Sequence, residues 1–201
     1  MTAGGFVNPP GTDTVLSLAM PHSFELSTES PASVDQVHAA FGDEDYWQAR
    51  LAAVGSGPGV AKLDSLIVDA AGTVTVAATF RLVRDRMPKL VSRLGRGDLV
   101  MVHTETWSPV DDNQVRGEVC VAMRGTPVSA LGVALLAPLV SGSRLKYSTT
   151  VTVKVPLVGG KIESFMGSRL AEGVIDIQRF TTTWIAENLD GQRVMATRRL
   201  G

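Results

Sequence analysis

This sequence predicts an α+β domain in which an antiparallel sheet of about seven strands is accompanied by two short helices and one long C-terminal helix. Two observations carry the prediction. Six consecutive apolar segments (60–69, 73–83, 98–110, 114–124, 128–140 and 144–155) follow one another, and connections as short as 71–72, 111–113 and 141–143 leave no room for crossover helices, which requires an antiparallel meander. The proline-free stretch GGKIESFMGSRLAEGVIDIQRFTTTWIAEN places Ile162, Phe165, Met166, Leu170, Val174, Ile177, Thr181 and Trp184 at intervals of three and four, the stripe of an amphipathic helix. At 201 residues and 44% hydrophobic, the chain suffices for one sizeable core.

The elements follow in order. Residues 1–20, rich in Gly, Pro and Thr, are expected to form a loosely ordered extension, because the apolar run 15–20 is short and has no preceding basic residue. Residues 21–188 are expected to form the domain. In 22–30, Phe24 and Leu26 alternate with Ser23, Glu25 and Ser27, the pattern of a half-buried strand. Ser30-Pro31 reads as an N-cap and first helical position, with Val34, Val37 and Phe41 on the buried side and Gly42 as the stop. Asp43 opens a second helix carrying Tyr46, Trp47, Ala49, Leu51 and Val54, broken by the glycines at 55–59. In the meander, Val74, Val76, Ala78, Phe80 and Leu82 alternate with Thr75, Thr79 and Arg81, so this strand has one wet and one dry face. Residues 129–140, SALGVALLAPLV, are continuously apolar, and their length suits a buried strand. The terminal helix should run roughly 28 residues, about 40 Å at the usual rise, to a stop at Asp190-Gly191, leaving 189–201 as a basic tail.

Composition excludes several function classes. A formal charge of −1 lacks the positive field of a nucleic-acid binder, so no nucleic-acid partner is expected. The single cysteine, Cys120, forbids an internal disulfide and fits the cytoplasm; between Val119 and Val121, on the opposite parity, it reads as an unreactive thiol. His22, His38 and His103 have no metal-ligand spacing, and the sequence contains no nucleophile elbow, phosphate loop or dinucleotide fingerprint. Neither a metal nor another cofactor is expected.

Taken together, the order of elements resembles the helix-grip fold of the START-like, or SRPBCC, superfamily, which includes birch-pollen-allergen-like proteins and polyketide cyclases. The segments SFELSTESPASVDQVHAAFGDEDYWQARL and VKVPLVGGKIESFMGSRLAEGVIDIQRFTTTWIAE are similar to an actinobacterial branch of that superfamily known as a domain of unknown function, over residues 21–187. The resemblance implies a curved sheet gripping the long helix, with a cavity between them. A bent sheet and a straight helix cannot stay in contact along their whole length. The expected lining is Val76, Ala78, Phe80, Val119, Val121, Tyr147, Thr149 and Val151 from the strands, and Phe165, Met166, Leu170, Val174 and Ile177 from the helix.

In VMVHTETWSPV, residues 100–110, His103 and Glu105 share one strand face. An inward Glu105 would carry several kcal/mol of desolvation unless paired. The favoured reading therefore places it outside, in a cross-strand network with Arg81 and Arg116. Inward, His103 and Glu105 would be the acid/base pair of a cyclase- or hydrolase-like enzyme acting on a polyketide or fatty acyl substrate. The leading functional expectation is a carrier for an apolar small molecule or lipid. A third reading is a membrane-associated interaction module, since 84–97, RDRMPKLVSRLGRG, sets Arg84, Arg86, Lys89, Arg93 and Arg96 beside an apolar side suited to peripheral membrane contact.

Overall fold

A computed structural model of the protein describes residues 22–55, 59–83, 85, 89, 97–155 and 159–199, with side chains of the last helix described through position 188. The elements are β1 (His22–Ser30), α1 (Val34–Phe41), α2 (Glu44–Gly55), β2 (Gly59–Val68), β3 (Val74–Leu82), β4 (Leu99–Val110), β5 (Gln114–Met123), β6 (Val128–Pro138), β7 (Ser143–Val153) and α3 (Gly159–Arg199). All strand pairs are antiparallel, in the order β1-β7-β6-β5-β4-β3-β2. The first strand thus returns to pair with the last, and the expected α+β helix-grip architecture is present.

Local chemistry explains the corner between β1 and α2. Ser33, not Ser30, caps α1: its hydroxyl accepts from Gln36 N while the Gln36 side chain accepts from Ser33 N, a reciprocal capping box. Ser30 closes β1 instead, its Oγ accepting from Ala32 N and lying 2.7 Å from Thr182 Oγ1 on α3. The expected cap was displaced because Ser33 and Gln36 satisfy two helix donors at once. Asp43 opens α2 by accepting from Asp45 N.

The aromatic knot under this corner fixes α1 and α2 against α3. Tyr46 is wholly buried, and its hydroxyl lies 2.7 Å from Thr181 Oγ1. Trp47 Nε1 donates to Phe41 O, and Phe41 packs on Trp107 with ring centroids 4.6 Å apart. Each polar tip finds a partner, so the rings bury their area without an orphaned donor.

Two expectations need correction. Helical backbone continues through Asp190 and Gly191, giving α3 41 residues; a glycine within a helix costs only about 1 kcal/mol and does not by itself stop one. The apolar run in β6 is only half-buried: Ala130, Ala134 and Leu136 face the core, whereas Leu131 and Val133 point outward, 64% and 49% exposed. An antiparallel strand keeps a solvent face even when its sequence does not alternate. No described helix is long and apolar enough to cross a membrane.

Candidate functional site

Between the inner face of the sheet, α1, α2 and the middle of α3 lies a cavity of about 360 Å³. This is within the range of small-molecule sites. Val76, Ala78 and Phe80 from β3, Val119 and Val121 from β5, Tyr147 and Thr149 from β7, and Leu170, Val174 and Ile177 from α3 line it. Three expected lining residues do not. Val151 is fully buried in packed core, and Phe165 and Met166 lie nearer the start of α3, packed against that core. The reason is close contact there: Phe24 of β1 presses on Gly167, where an added Cβ would stand 1.8 Å from its ring. Helix and sheet separate only further along.

Bulky side chains on β4 and β7 require close approach across the sheet. A Cβ on Gly117 would fall 2.5 Å from the Trp107 ring, and one on Gly132 would fall 2.3 Å from the Tyr147 hydroxyl. These two glycines let Trp107 and Tyr147 lie flat on neighbouring strands and leave the space above them open. Thr149 satisfies its hydroxyl by donating to Leu131 O at 3.2 Å.

The polar part of the lining overturns the expected exterior network. Glu105 is 3% exposed and faces inward, and neither Arg81 nor Arg116 pairs with it. Arg50 of α2 provides the missing charge: its Nη2 lies 2.5 Å from Glu105 Oε1 and its Nη1 3.5 Å from Oε2. Trp107 Nε1 donates to Glu105 Oε2 at 2.8 Å, and the guanidinium stacks 4.4 Å from the Trp47 ring centre. Burial alone would push the Glu105 carboxyl up, yet the adjoining Arg50 charge, with His103 contributing, holds it well below the usual carboxylate range. Burial likewise would lower the Arg50 pKa, and the Glu105 charge raises it above the ordinary value. Both members are therefore ionised. His103 Nε2 stands 2.9 Å from Glu105 Oε1, turned off the axis that a hydrogen bond needs.

The sequence reading missed Arg50, Trp47, Phe41 and Gln178 as lining residues. A signal existed for two of them. Arg50 sits three residues after Trp47, on the stripe shared with Leu51, and Gln178 sits four after Val174 and three before Thr181. A polar residue on a dry helical stripe marks a polar spot inside. Among the described residues no group of His, Cys, Asp and Glu could hold a metal ion. Cys120 is exposed on the outer face of β5, as its parity required. Of the basic segment, Arg84, Arg86, Arg93 and Arg96 lie outside the described residues, while Lys89 is exposed.

Comparison with known proteins adds the family. The family described as "Protein of unknown function (DUF2505)" matches residues 25–185. The chain belongs to it. Rv0481c of Mycobacterium tuberculosis is 39% identical over 177 residues, covering 85% of this chain and 100% of the relative. Among solved structures, the di-domain ARO/CYC StfQ from the steffimycin biosynthetic pathway is similar at a TM-score of 0.53 and 14% identity, covering 84% of this chain and 51% of StfQ. A START superfamily protein from Mycobacterium smegmatis is similar at a TM-score of 0.47 and 11% identity, covering 83% of this chain and 98% of the other. Similarity at this level of identity speaks to fold alone, and the fold this chain shares with StfQ is the antiparallel sheet closed by a long terminal helix described above.

Proposed function

We propose that this DUF2505 protein binds an apolar small molecule or lipid between α3 and the sheet, as a cytoplasmic carrier. The single observation that supports this reading is the cavity itself, walled almost wholly by Val, Leu, Ile, Ala and aromatic side chains, with its one buried ion pair internally neutralised. Such a space is energetically suited to an apolar guest and poorly suited to a charged one.

The test exploits Gly173, which lines the cavity on α3 and has no atom within 4 Å of where a Cβ would stand. Gly173→Leu would project a side chain into the open volume while raising helix propensity by roughly 1 kcal/mol. Delipidated wild-type protein incubated with total cellular lipid should retain a bound molecule in native mass spectrometry. Gly173→Leu should lose that retention while melting no lower than wild type. Repeatedly empty wild-type spectra would sink the carrier reading.

A second reading is favoured by the inward placement of His103 and Glu105: a cyclase- or hydrolase-like activity on a polyketide or fatty acyl substrate. Glu105, held ionised by Arg50, is unsuited to donating a proton, which leaves His103 as the proton carrier. Acyl-thioester turnover that disappears in His103→Ala would establish this reading over a pure carrier. A membrane-contacting role for the 84–97 segment would be tested by flotation with anionic liposomes, which should lift the wild type but not a variant with these basic residues replaced by Gln.

A further inference from the structure

Gln178 of α3 lines the cavity and also borders an outer pocket beside Thr28, Glu29 and Thr182; it is 4% exposed, and its Nε2 has no hydrogen-bond partner. An unpartnered amide donor at that depth carries a desolvation penalty which an acceptor from a guest would relieve. The backbone that carries it is held in place. The turn that bears it is tied down by Thr181 Oγ1, 2.7 Å from the Tyr46 hydroxyl, and by Thr182 Oγ1, 2.7 Å from Ser30 Oγ. We propose that the guest carries a neutral hydrogen-bond acceptor, such as a ketone, ester or quinone-type carbonyl, and that Gln178 donates to it.

This rests on the carrier reading and narrows its ligand class. Neutrality follows from the groups of positive or potentially positive charge that line the cavity, Arg50, Arg169 and His103, the last of which stands 2.9 Å from the Glu105 carboxylate, so a charge on it is already matched. Arg50 is engaged by Glu105 through both terminal nitrogens, so an anionic head group brought to it would meet the Glu105 carboxylate in a dry setting. Arg169 stands at the rim, 68% exposed and paired with Glu172 at 2.9 Å, where water screens its pull. The Tyr147 hydroxyl, over Gly132, also lies on the cavity wall; burial raises its pKa so that it keeps its proton, and Thr149 is its hydrogen-bond partner, which leaves Gln178 as the unengaged donor of the two.

The experiment is displacement of Nile red from delipidated protein by three probes of matched chain length: 2-nonanone, nonane and nonanoate. Because nonane is the more hydrophobic probe in water, the ketone-to-nonane ratio, and neither concentration alone, carries the result; nonanoate should be the weakest. Gln178→Met, similar in length and lacking the donor, should worsen that ratio for the ketone about tenfold while nonane displacement persists. An unchanged ratio in that variant overturns the proposal while leaving the carrier reading intact. Nonanoate displacing best, with the advantage lost in Arg169→Ala, overturns it in favour of an anionic ligand. Dye that never binds, with no probe effect, removes the carrier reading and this inference together.

Discussion

Strands β4 and β5 are neighbours in full register, with His103 opposite Val121 and Glu105 opposite Val119, yet their inner faces are built on opposite principles. The inner face of β5 is Val115, Val119, Val121 and Met123, dry throughout, and its charges Arg116 and Glu118 pair with each other in solvent. That of β4 carries His103, Glu105 and Trp107, and is habitable only because Arg50 reaches in from α2. The difference teaches that a strand's buried face is decided by what covers it as much as by its own residues. Apolar side chains need only a cover, whereas an inward carboxylate needs a particular partner in a particular place.

The sharpest way to break this contrast is to remove the partner. Arg50→Met would leave Glu105 buried and uncompensated, and should lower unfolding free energy by about 3–5 kcal/mol in urea titration. Combining Arg50→Met with Glu105→Leu should make β4 resemble β5 and return stability to within about 2 kcal/mol of wild type, the remainder reflecting the lost acceptor of Trp107.

Acid should expose the same contrast with a somewhat smaller effect. The folded-state pKa of Glu105 lies below its ordinary value, so its contribution is complete above the usual glutamate range, about pH 4, and is lost as pH falls further. Urea midpoints measured downward from pH 5 should therefore fall more steeply for wild type than for the Arg50→Met/Glu105→Leu protein. Equal slopes would place the pair outside the energetics of the fold. Next in size is Gly117→Ala, whose new methyl group would collide with the Trp107 ring where the two strands meet; it should cost roughly 1–3 kcal/mol by the same measurement. The smallest effect belongs to the outer face of β5, where Cys120→Ser should change stability by less than about 0.5 kcal/mol.

The same contrast explains what was legible in the sequence. Alternation shows the faces of β1, β3 and β5, and the three-and-four spacing in α3 locates Leu170, Val174 and Ile177 on the cavity wall, because local periodicity reports burial directly. Strand parity alone points His103 and Glu105 outward, because the residue that compensates the Glu105 carboxylate is 55 positions away and on a helix. No strand-level pattern carries that information. Phe165 and Met166 share the helical stripe with true lining residues, yet the tight seat of Phe24 on Gly167 closes the gap beside them, and a stripe cannot say where helix and sheet part. The Ser30-Pro31 pair points to a cap at Ser30, and only the reciprocal bond between Ser33 and Gln36 moves the cap three residues on.

Two tryptophans, Trp47 and Trp107, line the cavity, whereas Trp184 packs outside it against Tyr46. A brominated alkane, which quenches tryptophan on contact, therefore reads the cavity directly. Titration with 1-bromononane should give saturable quenching that disappears when Trp47 and Trp107 are both replaced by Phe and is weakened by Gly173→Leu. Quenching that rises linearly without saturation, or that survives in the double Phe variant, would contradict the claim that an apolar guest occupies this space.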